Sequence, residues 1–374
     1  MTSLLERLQA GGVLSWDLAL VTDSLDDAGV EAVTAAHVLD PARVLVAVDH
    51  DTPAGTVAVA EKQRKLLDFA RGQGLPFRYG QGIGYHLALE GGLKPGSVAV
   101  CCGRHAAVLG AGGVLGLPLP PKELKTALET GTVSLPEAEV CRLRLAGALD
   151  RYVTAWDLAL HLAPRCRGKL AVLGGGGLDR CQRAAVCGLL AASGAVTALF
   201  TEEPLDGAET VELAAVRPMA VLPGNFERIV PASRVDGLRV NQVFIGGCAG
   251  GTLEALRRTA GIWRGRRVNP YVRVLVAPAT AEVYAQALEE GLVEALMDAG
   301  ALVMNQGCSA CWAQSQGRCD GGEVFVTTGF INCPGWAGRG HDGIYTAPVE
   351  RAAWAALTGS LYVVASSVLL RSYR

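Results

Sequence analysis

Short apolar runs that end in polar or glycine residues alternate along this chain with longer amphipathic ones. "RVLVAVDH" is followed by "TVAVAEKQRKLLDFARGQG" and "KLAVLGGGG" by "DRCQRAAVCGLLAASGA". "NQVFIGGCAGG" precedes "TLEALRRTAGI", and "YVRVLVAPAT" precedes "AEVYAQALEEGLVEALMDAG". A short aliphatic run with little polar alternation is buried on both faces, as a parallel strand covered by helices would be. Strand–loop–helix units repeated in this way predict an α/β fold with mostly parallel sheets. Ligands of such sheets gather beyond the carboxyl ends of the strands. His50, His105 and Cys248 each follow such a run, which makes them the first candidates for chemistry.

The length of 374 residues suits two or three domains. Only 19% of residues are charged, the net charge is −2, and no block of Lys or Arg suggests a nucleic-acid face. The first twenty residues lack the basic region, apolar core and cleavage site of a secretory signal. The apolar stretch "LYVVASSVLL" is about half of what a membrane span needs. These features predict a soluble, cytoplasmic protein that binds neither nucleic acid nor membrane. Its eleven Cys are expected to be mostly reduced, as core fillers or metal ligands. Cys187, inside an apolar helical run, is most simply a core thiol.

Two stretches invite specific chemistry. In "LGGGGLD" the third Gly of a dinucleotide fingerprint is replaced by Asp179, and no acidic residue stands convincingly at the end of the next strand, so that reading fails. "NQGCSACWA" sets Cys308 and Cys311 in CxxC spacing. Zinc would call for a second pair with CxxC or HxxxH spacing, and none exists; Cys319 follows "QSQGR" alone. A redox pair remains open on local grounds, since the motif follows the strand-like "ALVMNQG". A third possibility uses Cys248 in the Gly-rich "IGGCAGG", sixty residues earlier (308 − 248). Three such thiolates can hold three irons of a [4Fe–4S] cluster and leave the fourth open. Cys101, Cys102, Cys187 and Cys333 are rival thiols.

The segments "VFIGGCAGG", "NQGCSACWA" and "GEVFVTTGFINCPGWAGRG" resemble the cluster-binding segments of the aconitase superfamily, in particular the large subunits of 3-isopropylmalate dehydratase and homoaconitase. "AVDHDTPAG", "YGQGIGYHLALEGGLKPG", "VAVCCGRHAAVLGAGGVLGL" and "VTAWDLALHL" continue the match upstream in the same order. The resemblance implies three α/β domains with mostly parallel sheets around a central cluster cleft, drawn here at 1–153, 154–236 and 237–374. It implies a [4Fe–4S] cluster on Cys248, Cys308 and Cys311, with an open iron acting as Lewis acid toward a hydroxy acid. An acid then protonates the departing hydroxyl while a base removes the neighbouring proton. In the family that base sits on a swivelling fourth domain. Nothing resembling it is present here, so a small partner subunit is implied.

Carried over by position, the family's Asp–His acid pair falls on Asp49 and His50. Its second active-site His falls on His86, and the His of "DSHT" on His105, with Gly103 in place of the Asp. Gln81, Arg104, Asn332 and Arg339 fall among the substrate-contacting positions. Several matches are lost. The helix that supplies an Asn and a Glu aligns on "AAVCGLLAASG", at Gly188 and Ala192, and the two Arg of "NRNFxGR" become Ile331 and Trp336. Two missing guanidiniums remove bidentate carboxylate recognition. The expected activity is therefore a hydro-lyase or isomerase acting on a hydroxy acid less anionic than citrate. The alternative is a cluster protein without catalysis, acting as an iron or redox sensor or a scaffold subunit.

Overall fold

Three parallel sheets carry the architecture, in a computed structural model that describes residues 3–313, 315–338 and 343–362. Arg339 and most of "LYVVASSVLL" lie outside the described residues, as does the side chain of Arg104. The strands of these sheets are numbered in chain order. The first sheet contains β1 (Leu18–Thr22), β2 (Val44–Val48), β3 (Phe77–Tyr79), β4 (Val98–Cys101) and β5 (Leu115–Pro118), in the order β3-β2-β1-β4-β5. The second contains β6 (Val140–Ala146), β7 (Leu170–Gly175), β8 (Thr197–Phe200) and β9 (Glu209–Glu212), in the order β8-β7-β6-β9. The third contains β10 (Gln242–Ile245), β11 (Arg273–Val276), β12 (Leu302–Val303), β13 (Phe325–Thr327) and β14 (Ile344–Thr346), in the order β12-β11-β10-β13-β14. Strand β6 precedes residue 153, so the second sheet begins within the segment assigned to the first domain by sequence.

The helices form where the apolar spacing and capping residues direct. Helix α1 (Val57–Gln73) starts at Thr56, whose side chain accepts from Val59 N, and stops at Gly74 with φ 68°. Helix α2 (Gly84–Glu90) follows β3. Helix α3 (Ala155–Cys166) is started by a Thr154–Asp157 capping box. Asp179, which spoiled the dinucleotide pattern, caps α4 (Arg180–Ala192) together with Gln182. Helix α5 (Leu253–Trp263) follows the Cys248 loop. The run from Ala281 is two helices, α6 (Ala281–Glu289) and α7 (Leu292–Asp298), because Gly291 between them turns left-handed at φ 69°. Helix α8 (Val349–Thr358) follows β14.

The sheets are locked together by close backbone approach and one buried ion pair. A Cβ on Gly82 would lie 2.5 Å from the Thr280 Cα, and here Ile83 N donates to Ala279 O at 2.8 Å and Ala281 N to Gln81 O at 2.9 Å. That fastens the start of α2 to the loop after β11. Arg351 of α8 donates to both carboxylate oxygens of Asp157 in α3 at 2.9 and 2.8 Å, and Asp157 also accepts from Met219 N at 2.7 Å. Strand order reverses once in each of the two five-stranded sheets: between β1 and β4 in the first, and between β10 and β13 in the third. Such points open a crevice at the carboxyl edge.

Candidate active site

A cavity of about 600 Å³ opens against both of these crevices. The first sheet contributes Ser24 after β1, His50 after β2, and Cys102, Gly103 and His105 after β4. The third contributes Cys248 after β10, Cys308 and Cys311 after β12, and Phe330, Ile331 and Cys333 after β13. Thus the three expected cluster cysteines, His50 and His105 face one space. All three thiols are buried, and none is in a disulfide.

Each cysteine is held by local backbone chemistry. Cys248 sits in the one-turn helix Gly247–Gly250, whose Gly246 N donates to Thr328 Oγ1 at 2.9 Å. A Cβ on Gly250 would strike that hydroxyl at 1.9 Å, so the loop can close only with glycine there. Cys308 N donates to Asp49 O at 2.9 Å, which ties the CxxC segment to the end of β2. Ser309 adopts a left-handed φ of 46°. A non-glycine residue held there costs roughly 1–2 kcal/mol, which the surrounding bonds must offset.

The Asp–His pair sits in a web of carboxylates. His50 Nδ1–H donates to Asp49 Oδ1 in a very short contact and lies 3.3 Å from Asp23 Oδ1. Asp49 Oδ2 accepts from Gly84 N at 2.6 Å. Asp23 Oδ1 accepts from both Asp49 N and His50 N at 3.0 Å, and its Oδ2 accepts from Gln63 Nε2 at 3.2 Å. Burial opposes charge on His50, but Asp49, the Cys308 sulfur and Asp23 outweigh it and raise the imidazole well above its ordinary value. Burial likewise opposes ionisation of Asp23, yet the imidazolium and two backbone N–H groups hold it well below the usual carboxylate range. Asp49 is pushed up by burial against the pull of His50. The web thus favours the charged form of His50, with its Nδ1 held by Asp49 and Asp23.

The other candidates divide. His86 is outside the cavity; its Nε2–H donates to Cys248 O at 2.9 Å, and burial pulls its pKa down to about 4, so it is a neutral brace for the cysteine loop. His105 lines the cavity with its ring edge-on to Phe330, centroids 5.8 Å apart. Gln81 is exposed and away from the cavity, because its backbone is engaged in the bridge to Ala281. Asn332 is buried, and its amide is used up holding Phe226 N (3.1 Å) and Ile344 O (3.0 Å), so it shapes the wall without facing the space.

Asp23, Tyr85 and an aromatic wall escaped the sequence reading. Asp23 ends a "ALVTD" run of the same kind as "VAVDH", which was the available signal. A Cβ on Gly103 would lie 2.7 Å from the Tyr85 hydroxyl, and one on Gly188 would lie 2.1 Å from the Phe330 ring. Aromatic side chains from facing segments therefore fill the room beside both glycines. Phe330 also stacks on Trp156, Trp312 meets His50 edge-on at 4.7 Å, and Trp336 meets Trp312 at 5.5 Å. No Lys or Arg is among the described residues lining the cavity.

The sequence matches the Aconitase family (aconitate hydratase) over residues 27–177 and 219–359. The chain belongs to the aconitase family. It is 30% identical to 3-isopropylmalate dehydratase large subunit 2 of Pyrococcus furiosus, over 92% of this chain and 93% of that one. It is also 30% identical to the homoaconitase large subunit of Thermus thermophilus, over 86% and 84%. Among solved structures it resembles aconitase X of Thermococcus kodakaraensis (holo-form), with a TM-score of 0.56 and 15% identity, covering 85% of this chain and 84% of that one. That last likeness speaks for the fold. No described helix is long and apolar enough to cross a membrane.

The residues present fit the iron–sulfur cluster that the aconitase family implies. Burial raises the Cys311 thiol to about 12 and that of Cys248 well above its ordinary value, so only a bound cation would hold them as thiolates. A Cβ on Gly329 would sit 2.5 Å from Cys311 Sγ, and one on Gly247 3.4 Å from it. Glycine at both places leaves the sulfur room to turn into the cavity. Three soft thiol donors on two loops suit a cluster better than a hard cation.

Proposed function

We propose that this chain is the large subunit of a cytoplasmic iron–sulfur hydro-lyase or isomerase, acting on a hydroxy acid less anionic than citrate. The observation that carries the reading is the meeting of Cys248, Cys308, Cys311 and the Asp49-paired His50 in one aromatic-walled cavity. Cys248, Cys308 and Cys311 would hold the [4Fe–4S] cluster, which when bound supplies an open iron as Lewis acid to the substrate hydroxyl. His50 holds the proton that a leaving hydroxyl needs, and Asp49 and Asp23 fix its Nδ1 so that the other ring nitrogen is presented. His105 lines the same cavity. Aromatic rings line the cavity, and no described guanidinium or ammonium stands there to grip a second carboxylate. A small subunit with a swivelling domain would bring the carbon base, in keeping with the relatives' designation as large subunits. The packing of Phe330 over Gly188 favours, as second reading, a divergent cluster protein without dehydratase chemistry.

The test is anaerobic purification with a candidate small subunit, iron and sulfide analysis, and assay against mono-, di- and tricarboxylate hydroxy acids. Cys248→Ala is expected to lose the cluster, whereas Cys187→Ala, altered within the core of α4, keeps it. Stoichiometric zinc without iron would sink the cluster assignment. A loaded cluster with no turnover of any hydroxy acid would favour the second reading.

A further inference from the structure

A fourth thiol, Cys333, lines the same cavity as the three cluster cysteines. Its neighbours on both sides are pinned. Asn332 is buried and bonded through its amide to Phe226 N and Ile344 O. Trp336 donates its indole N–H to Cys311 O at 2.9 Å and its backbone N–H to Cys333 O at 3.2 Å. The turn that carries Cys333 is thereby fastened to the CxxC segment itself. The cavity's remaining thiol, Cys102, is otherwise engaged: its sulfur accepts from Thr22 N at 3.1 Å and lies 3.4 Å from Thr22 Oγ1 and 3.7 Å from Ser24 Oγ. Cys333 Sγ has no such partner among the described residues, and the residue is half-buried.

We propose that Cys333 is a fourth thiolate ligand of the cluster in the substrate-free protein, displaced when a hydroxy acid enters. This rests on the cluster reading above. The exchange involves no redox change. An S–H bond is replaced by an S–Fe bond, the proton leaving to solvent past the half-exposed turn, and the thiolate takes a proton back when displaced. A soft thiolate is a better ligand for iron than a carboxylate. Substrate binding must therefore draw on the aromatic wall as well as on the metal, which would make the resting site selective for substrates with an apolar substituent.

The experiment compares anaerobically reconstituted wild type, Cys333→Ala, Cys333→Ser and Cys102→Ser. Each is treated briefly with ferricyanide, and the three-iron cluster is followed by electron paramagnetic resonance. A cluster with four protein thiolates keeps its fourth iron, so wild type and Cys102→Ser are expected to resist, while both Cys333 variants lose one iron of the four. Equal three-iron yields from wild type and Cys333→Ala, or sensitivity confined to Cys102→Ser, overturn the proposal. Should the variants fail to fold, Mössbauer spectra of the wild type decide: one distinct iron site in the absence of substrate overturns it. Iron and sulfide missing from every preparation, wild type included, would instead mean that the cluster reading has failed.

Discussion

Asp23→Ala removes the carboxylate that orders the tip of two strands. Its Oδ1 accepts backbone N–H bonds from Asp49 and His50, both at 3.0 Å, and its Oδ2 accepts from Gln63 at 3.2 Å. The residue is 1% exposed, so water cannot readily replace it. A hydrogen bond to a charged group is worth about 1.5–3 kcal/mol, and the two backbone bonds alone therefore put the loss at roughly 3–6 kcal/mol. Asp23→Asn should recover only part. With its oxygen toward the two backbone N–H groups, its amide N–H faces the Gln63 amide, which cannot turn without giving up its 2.7 Å bond to Asp51 O. Equilibrium urea unfolding measures the cost, and a histidine NMR titration reads the second effect, a fall in the His50 pKa as one of its carboxylates disappears. The sign for stability follows from the lowered Asp23 pKa. Its contribution is present above the unfolded carboxylate pKa near 4 and fades as pH drops through the folded value. An Asp23→Ala protein within about 1 kcal/mol of wild type, the scale of an ordinary substitution, would refute the argument.

Further outcomes follow from the same geometry. His50→Asn is expected to lower turnover by about 10²–10⁴-fold with cluster content unchanged; full activity would remove it from the chemistry. Because its pKa is raised, the His50 acid form and its stabilising effect are intact below an unfolded value of about 6.5 and disappear as pH rises through the folded pKa, so the pH–rate profile should fall on the alkaline side. Asp157→Ala takes from the buried Arg351 guanidinium the carboxylate it donates to at 2.8 Å and should cost about 3–5 kcal/mol in unfolding experiments. Gly188→Ala sets a methyl 2.1 Å from the Phe330 ring, an overpacking worth about 1–3 kcal/mol, and should change the substrate profile by displacing a ring that lines the cavity. Citrate is expected to turn over poorly beside monocarboxylate hydroxy acids, and a panel assay would show otherwise if Arg339 or Arg104 supplies the missing grip.

Much of the scaffold could be read from local pattern. The run "RVLVAVDH" became β2 with Asp49 and His50 at its tip, and "NQVFIGGCAGG" became β10 followed by the Cys248 turn. Such strands announce themselves because burial on both faces demands an unbroken aliphatic run, and their tips must be polar because the chain leaves the core there. Even so, Gly291 divided a helix that apolar spacing alone would run straight through, since spacing does not register a left-handed residue.

What tertiary structure decided was which tips meet, and what fills the space between them. Strand reversal between β1 and β4 and between β10 and β13 brings residues 23, 50, 105, 248, 308 and 333 toward one crevice, and none of these is close to all the others in sequence. The sequence by itself determined that Gly103 and Gly188 lack side chains. It did not determine that Tyr85 and Phe330 would occupy the room beside them, nor that His86 and Asn332 would be consumed as braces. The reason is physical: strand and helix formation depend on neighbours a few residues away, whereas the volume of a cavity and the partner of a buried polar group depend on whichever distant segments pack against it.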